Sequence, residues 1–300
     1  MRIERVAIIG LGLLGSSIGL ALRERAPGIA TTGFDANPNV RAKAEELGLV
    51  GVVCESPAEA VREADLVVLC VPVGAMSEAA AAIAEALPAR AIVSDVGSSK
   101  QSVARALAEA LPGRCVIPAH PVAGTEESGP EAGFATLFVG RWCILTPPED
   151  ADPEALEALS DFWAGLGARV EVMDAGHHDL VLAVTSHIPH LIAFTIVGTA
   201  SDLEEVTRSE VIKYSAGGFR DFTRIAASDP VMWRDVFLNN REAVLEMLGR
   251  FTEDLTALQR AIRSGDGETL HDLFSRTRAI RRQVIEQGQD ESKPDFGRSH

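Results

Sequence analysis

Short apolar runs alternate with amphipathic or Ala-rich stretches through the first half of the chain, and this alternation predicts strands and helices in turn. Residues 3–9 form a brief β-branched run that predicts a buried strand. It leads directly into Gly10-Leu11-Gly12-Leu13-Leu14-Gly15 and then an apolar helix through Leu22. A second strand is expected near 30–34, and LVVLCVPV at 66–73 predicts a fully buried one. An Ala-rich helix follows over 74–87, a strand over 91–96, and a helix that opens at GSSK (97–100) and runs to about Leu111. CVIPAHP (115–121) and RWCILTP (141–147) supply further strands. Continuously apolar strands separated by helices predict a mostly parallel sheet covered on both faces. In such sheets ligands bind beyond the carboxyl ends of the strands. Gly10, Pro72, Ser98 and His120 each follow a predicted strand, so they are expected on one rim.

Pro147-Pro148, with Glu149, Asp150 and Asp152 after it, is the expected linker. Beyond it the pattern turns helical: a helix near 153–166, a short strand over 169–173, and a long apolar segment over 175–200. That segment carries His177, His178, His187 and His190, and Pro189 is expected to kink it. Helices near 219–227, 230–263 and 266–287 complete the pattern. The apolar content of 180–198 exceeds what packing on its own domain requires and favours a dimer interface, with a buried core helix as the alternative. The organisation expected is thus an α/β dinucleotide-binding domain over 1–148, an all-α substrate-binding and dimerisation domain over 149–286, and a polar, disordered tail over 287–300.

Composition narrows the partners. The 300 residues carry a formal net charge of −15, which argues against nucleic acid or an anionic membrane as a partner. A small anionic substrate remains compatible, because a few local arginines override the global field. The four cysteines (Cys54, Cys70, Cys115 and Cys143) show neither metal-ligand spacing nor a disulfide framework, which favours a reducing compartment. Met1-Arg2 leads straight into a predicted strand, so no leader is expected, and no apolar run is expected to reach the ~18 residues of a membrane span. A cytoplasmic protein without a metal site is expected.

Candidate chemistry concentrates in four places. The glycine motif follows a strand and opens a helix, the context in which Gly10, Gly12 and Gly15, with Leu13 and Leu14 between them, hold a pyrophosphate at a helix N-terminus. Asp35 stands 20 residues after Gly15, where a carboxylate accepts hydrogen bonds from ribose hydroxyls, and no arginine follows before Arg41. NAD is therefore favoured over NADP, with Val71 and Pro72 at the end of the next strand beside the cofactor; a simple strand-end turn is the alternative for Asp35. In DVGSSK (95–100) Ser98 offers a hydroxyl able to orient an imidazole, although Ser and Asp also serve as plain helix caps. AHPVAGTEESG, from Ala119, sets His120 before a proline, with Glu126 and Glu127 close behind. His187 and His190 suit substrate contact or core packing better than zinc. Gly217-Gly218 opens a helix carrying Arg220 and Arg224, four apart, where a guanidinium near a helix N-terminus forms a carboxylate receptor. Arg224 paired with Asp221 or Asp229 as surface decoration is the alternative, and Trp233 suits the core.

GLGLLG, Asp35, CVPV, DVGSSK, HPVAGTE, SHIPH and GGFRDFTRIA, in this order across almost the whole length, resemble the prephenate/arogenate (cyclohexadienyl) dehydrogenase family of tyrosine biosynthesis. The glycine motif is widespread; HPVAGTE and GGFRDFTRIA are specific. The resemblance implies a Rossmann-like domain followed by a helical one, NAD as cofactor, and oxidative decarboxylation of prephenate or arogenate. It also implies roles: His120 as catalytic base, Ser98 as its support, His187 in the substrate pocket, and Arg224 on a substrate carboxylate, with Gly217 beside it. Glu126 is a candidate for reading the arogenate ammonium, or else a solvated loop residue. The alternatives are a β-hydroxyacid or 6-phosphogluconate-type dehydrogenase and a non-catalytic NAD-sensing module.

Overall fold

The structure, a computed structural model, describes residues 2–202, 210, 213 and 217–286, so the expected tail over 287–300 lies outside the described residues. The chain divides into two compact units, Met1–Leu245 and Glu246–His300.

The first unit is built on a six-stranded parallel sheet. Its strands are β1 (Arg5–Ile9), β2 (Ala30–Phe34), β3 (Val52–Val53), β4 (Leu66–Leu69), β5 (Ile92–Asp95) and β6 (Cys115–Val116), in the order β3-β2-β1-β4-β5-β6. Successive side chains of one strand point to opposite faces. Val6 and Ile8 of β1 accordingly enter one core with Ile18 and Leu22, while Ala7 and Ile9 enter another with Met76, Ile83, Val103 and Leu107. The helices on these faces are α1 (Leu13–Arg25), α2 (Pro38–Leu47), α3 (Pro57–Val61), α4 (Met76–Ile83) and α5 (Lys100–Ala110). This is the doubly covered Rossmann-like sheet expected from the apolar runs.

The single strand expected over 115–121 is two. Ile117 N still donates to Val93 O, 2.9 Å away, but Pro118 has no N–H and the next amide, Ala119 N, turns to the Asp95 side chain at 3.1 Å. The chain leaves the main sheet there and forms β7 (Ala119–Pro121), antiparallel to β8 (Trp142–Leu145), which is parallel to β9 (Arg169–Val172). His120 therefore sits within a strand rather than in the loop after one. Pro147-Pro148 joins β8 to α6 (Pro153–Gly165), and Ala155, Leu159, Phe162 and Trp163 of α6 share the core of Val6 and Ile8.

A continuous helical stretch follows: α7 (Ala175–Leu182), a π-helical turn (Ala183–His187) and α8 (Ile188–Ser201). Pro189 does not break it. The turn just before the proline is π-helical, and such a widened turn lets a helix continue past a residue that has no N–H to donate. The expectation that no segment is long and apolar enough to cross a membrane is corrected here: Ala175–Ser201 is 27 residues long with a hydropathy of 1.9, enough by length and composition. Scattered polar residues had broken the run in the sequence, and the helix joins its pieces. His178, Asp179 and His187, all buried in this stretch, find partners inside the unit.

After α9 (Gly217–Thr223) a 3₁₀ turn spans Arg224–Ala227, and Asp229 caps α10 (Pro230–Asn239) by accepting from Met232 N at 2.8 Å. The one helix expected over 230–263 is interrupted at Asn240, where α10 ends and α11 (Arg241–Ser264) begins. Asn240 is buried and turns its amide inward to the carbonyl of Asp179. The second unit holds the rest of α11 and α12 (Gly267–Glu286), with a turn at Gly265 (φ 69°) and an Asp266 cap between them. Leu255, Ile262, Phe274 and Ile280 stand exposed on these helices.

Candidate active site

The glycine turn is shaped by contact. Gly10 has φ 100°, and a Cβ there would lie 2.5 Å from Cys70 O; a Cβ on Gly15 would lie 1.9 Å from Gly10 O. Above Gly12 the space is open, and no side chain caps α1. The first N–H groups of α1, those of Leu13 and Leu14 among them, have no intrahelical partner by position, so the turn presents a bare, electropositive helix end. Asp35 is half-buried, its Oδ2 accepting from Leu11 N and its Oδ1 from Asn37 N, each at 2.9 Å. A carboxylate has further lone pairs to offer after these two bonds. Arg41 is tied to Asp35 O at 3.0 Å and paired with Glu55 at 3.1 Å. Val71, half-buried, and Pro72, exposed, follow β4 beside the turn. A dinucleotide pyrophosphate fits this cradle, since nothing lies within 4 Å of where a Cβ on Gly12 would stand and no side chain caps the helix end.

Beyond the ends of β5 and β6 lies a buried polar cluster. Lys100 Nζ donates to Asp95 Oδ2 at 2.5 Å and to Ala119 O at 2.6 Å, while Asp95 accepts from Gly97 N and Ala119 N. The ion pair thus grips both backbone groups of the residue before His120. Burial pushes the Asp95 carboxyl up and the Lys100 amine down, and the opposite charge of each partner resists. His120 Nδ1 lies 2.8 Å from His178 Nε2, and His178 Nδ1 lies 2.9 Å from Asp179 Oδ1. Asp179 in turn accepts from Lys100 N at 2.7 Å and Gln101 N at 3.0 Å, the first amides of α5.

Burial holds His120 well below the usual imidazole range; a charged His178 would add to the effect, as do Lys100 and His187 when charged. Burial also lowers His178, against the pull of Asp179, and brings His187 down to about 4. Both groups are therefore neutral near pH 7. Asn240 Nδ2 donates to Asp179 O at 2.8 Å and meets His187 Nδ1 at 3.1 Å. The carbonyl fixes the amide orientation, so His187 Nδ1 accepts and its buried, otherwise unpartnered Nε2 carries the proton.

The expected hydrogen bond from Ser98 to His120 is absent among the described residues. Ser98 lies half-buried in the turn before α5, and His178 occupies Nδ1 instead. Arg224 and Glu126 are brought together, 2.9 Å apart at the surface, while Arg220 pairs with Asp221. Gly217 opens α9. His190 stacks on buried Trp233, ring centroids 3.6 Å apart. Sequence reasoning missed His178, Asp179, Lys100, Asp95 and Asn240. The histidine–aspartate step at 178–179 and the lysine closing DVGSSK were the available signals.

Residues 18–172 match the family model for the prephenate dehydrogenase nucleotide-binding domain, and residues 174–276 match that for the prephenate dehydrogenase dimerization domain. A cyclohexadienyl dehydrogenase of Zymomonas mobilis is 45% identical over 93% of this chain and 95% of its own. A Bacillus subtilis prephenate dehydrogenase is 32% identical over 93% and 75%. Among solved structures, prephenate dehydrogenase from A. aeolicus in complex with hydroxyphenyl propionate and NAD+ superposes with a TM-score of 0.88 at 34% identity, covering 95% of this chain and 99% of the other. Synechocystis arogenate dehydrogenase gives 0.79 at 27%, covering 93% and 99%.

Proposed function

This chain belongs to the prephenate dehydrogenase family, and from that premise we propose that it catalyses the NAD-dependent oxidative decarboxylation of prephenate, arogenate or both. The products are 4-hydroxyphenylpyruvate and tyrosine. The observation that carries the reading is the buried, neutral His120, engaged at Nδ1 and with Nε2 left for a substrate hydroxyl.

When bound, NAD supplies the hydride acceptor. Gly10, Gly12 and Gly15 would leave room for its pyrophosphate, the amides of Leu13 and Leu14 would hold the phosphates, Asp35 would accept from the ribose hydroxyls, and Val71 and Pro72 would flank it. His120 accepts the proton of the ring hydroxyl as the carbon bearing it loses hydride. The bond to the ring carboxylate then breaks, its electron pair enters the ring, and CO2 departs. His120 returns the proton to the phenolate oxygen, so the base is regenerated. His187 presents N–H to the substrate, and Arg224, with Gly217 beside it, receives a carboxylate. Glu126 engages Arg224 through Nη1 at 2.9 Å, and the other N–H groups of the guanidinium are left to receive the substrate carboxylate beside it. Ser98 keeps its place in the site on the family resemblance alone.

The nucleotide is assigned to the sheet-bearing part, which is proposed to run past the Pro147-Pro148 break through α6 and β9, with the helical part after them. Substrate binding and dimerisation are assigned to the helices. The match to a dimerization-domain model and the exposed Val184, Ile196 and Val197 of the long helical stretch support a homodimer. Four free cysteines agree with a cytoplasmic location. Initial rates of NAD reduction with prephenate and with arogenate test the proposal; turnover of neither would refute it.

A further inference from the structure

His178 and Asp179 belong to none of the segments from which the reaction is read, yet His178, held by Asp179, makes the one hydrogen bond that the His120 side chain has among the described residues. The order of protons along this chain follows from the chemistry of its ends. Lys100 N and Gln101 N can only donate, so the Asp179 carboxylate accepts from both, and it accepts again from His178 Nδ1, which must carry a proton. Two ring nitrogens 2.8 Å apart share one proton between them. Neutral His178 already has its proton on Nδ1, so the shared one comes from His120 Nδ1. The lone pair of neutral His120 is then at Nε2.

We infer that His178 and Asp179 are positioning residues for the base: anchored on the first amides of α5, they fix the His120 tautomer and share the charge that His120 acquires. The inference rests on the reading of His120 as the base. As the substrate O–H bond breaks, an N–H bond forms at Nε2 of His120. The Nδ1 proton of His120 shifts toward His178 Nε2, and the positive charge moves onto the imidazole that faces Asp179. When the phenolate takes its proton back from Nε2, the shared proton returns to His120 Nδ1, and no co-reactant is needed. The other charged or titratable groups facing the pair are Lys100 and Asp95, which neutralise one another at 2.5 Å, and His187 from the π-helical turn. A serine hydroxyl in the place of His178 would orient the ring but could not take up the charge.

Two substitutions separate the two roles. Gln at 178 can accept from His120 through its amide oxygen and donate to Asp179 through its nitrogen, but it cannot be protonated. His178→Gln should therefore keep the tautomer, lower the acid-limb pKa of kcat/KM and cost roughly 10-fold in rate, whereas His178→Ala should lose both functions and about 10²-fold, with little change in KM.

The tautomer is read without turnover, from ¹⁵N shifts of the ring nitrogens in histidine-labelled protein near pH 7. Wild type should show His120 protonated at Nδ1 and bare at Nε2, H178Q the same, and H178A a mixture. A bare Nδ1 in the wild type, or an H178Q protein with the wild-type pH profile, would overturn the inference. Protein that shows the expected tautomer but turns over neither substrate would instead refute the functional reading and leave the hydrogen-bond order intact.

Discussion

At the glycine turn the atoms on offer are backbone N–H groups, kept open by the lack of side chains; behind His120 they are side chains, buried and bonded to one another. The turn needs only that nothing stand above Gly12 and that Gly10 and Gly15 approach their neighbours more closely than a Cβ permits. A helix end of this kind attracts a phosphate through fixed dipoles. The His120 region uses buried charge instead: Asp95 and Lys100 lie within the fold, and their pairing holds the backbone just before His120. Removing one partner of such a pair strands the other in a dry site. On the proposed function, the first region holds a ligand and the second governs protons. Substitutions in one should leave the other's function nearly untouched.

The largest effect expected is that of His120→Asn, which should cost roughly 10²–10⁴-fold in kcat/KM while leaving NAD affinity nearly unchanged. A large loss of NAD binding in this variant, measured by titration, would erase the distinction between the two regions. The pH profile sharpens it. A base must be neutral, and burial lowers the His120 pKa. Activity should therefore persist below the ordinary imidazole value of about 6.5 and fall only at lower pH, where protonation removes the base. The acid limb should vanish in the Asn variant. A limb at or above 6.5 in the wild type would show that His120 is not held in this dry cluster.

Arg224→Ala comes next, with a rise of ~10-fold in KM and a smaller fall in kcat, because a guanidinium on a carboxylate that does not react binds ground and transition states alike. Lysine should recover only part of the loss, lacking the planar fork. An unchanged KM in the alanine variant would remove Arg224 from the site.

Asp35→Ser reports on the other region. It removes the acceptor for Leu11 N and Asn37 N together with the expected ribose contact. NAD affinity should fall by about 10-fold, and the preference over NADP should narrow, since Arg41 is tethered to the same backbone. A kcat/KM acid limb that moves in this variant would mean the two regions are coupled.

The same contrast explains what was legible in the sequence. The glycine turn and Asp35 are local: the motif, its strand and its acceptor all fall within the first 35 residues, and their spacing is set by one strand–helix–strand unit. The parallel sheet was legible for a similar reason, because strands buried on both faces write themselves as unbroken apolar runs. The support behind His120 is assembled across separations of 58 residues to His178 and 79 from Lys100 to Asp179. Only the aspartate that follows it distinguishes His178 from His177 beside it. No local pattern marks Pro118, whose missing donor sends the chain to a second sheet, or Asn240, whose tertiary bonds interrupt a helix that periodicity alone would continue.

The smallest effect expected is that of Glu126→Gln, and the structure changes what it should show. Read as a free carboxylate, Glu126 is a candidate for choosing arogenate, whose ammonium it would attract while gaining nothing from the prephenate ketone. In the structure its Oε2 lies 2.9 Å from Arg224 Nη1, so its charge is already answered before any substrate arrives. A carboxylate held by a guanidinium offers an ammonium little net attraction, and an exposed pair of this kind is worth at most about 1 kcal/mol to the arrangement. Losing the pair should loosen Arg224 and, if anything, free it for the substrate. Glu126→Gln should therefore shift KM for prephenate and arogenate in the same direction, each by about 5-fold or less, that being the factor for ~1 kcal/mol. A selective loss with arogenate alone would instead mean that Arg224 releases Glu126 to take the substrate carboxylate, leaving the glutamate free to read the ammonium.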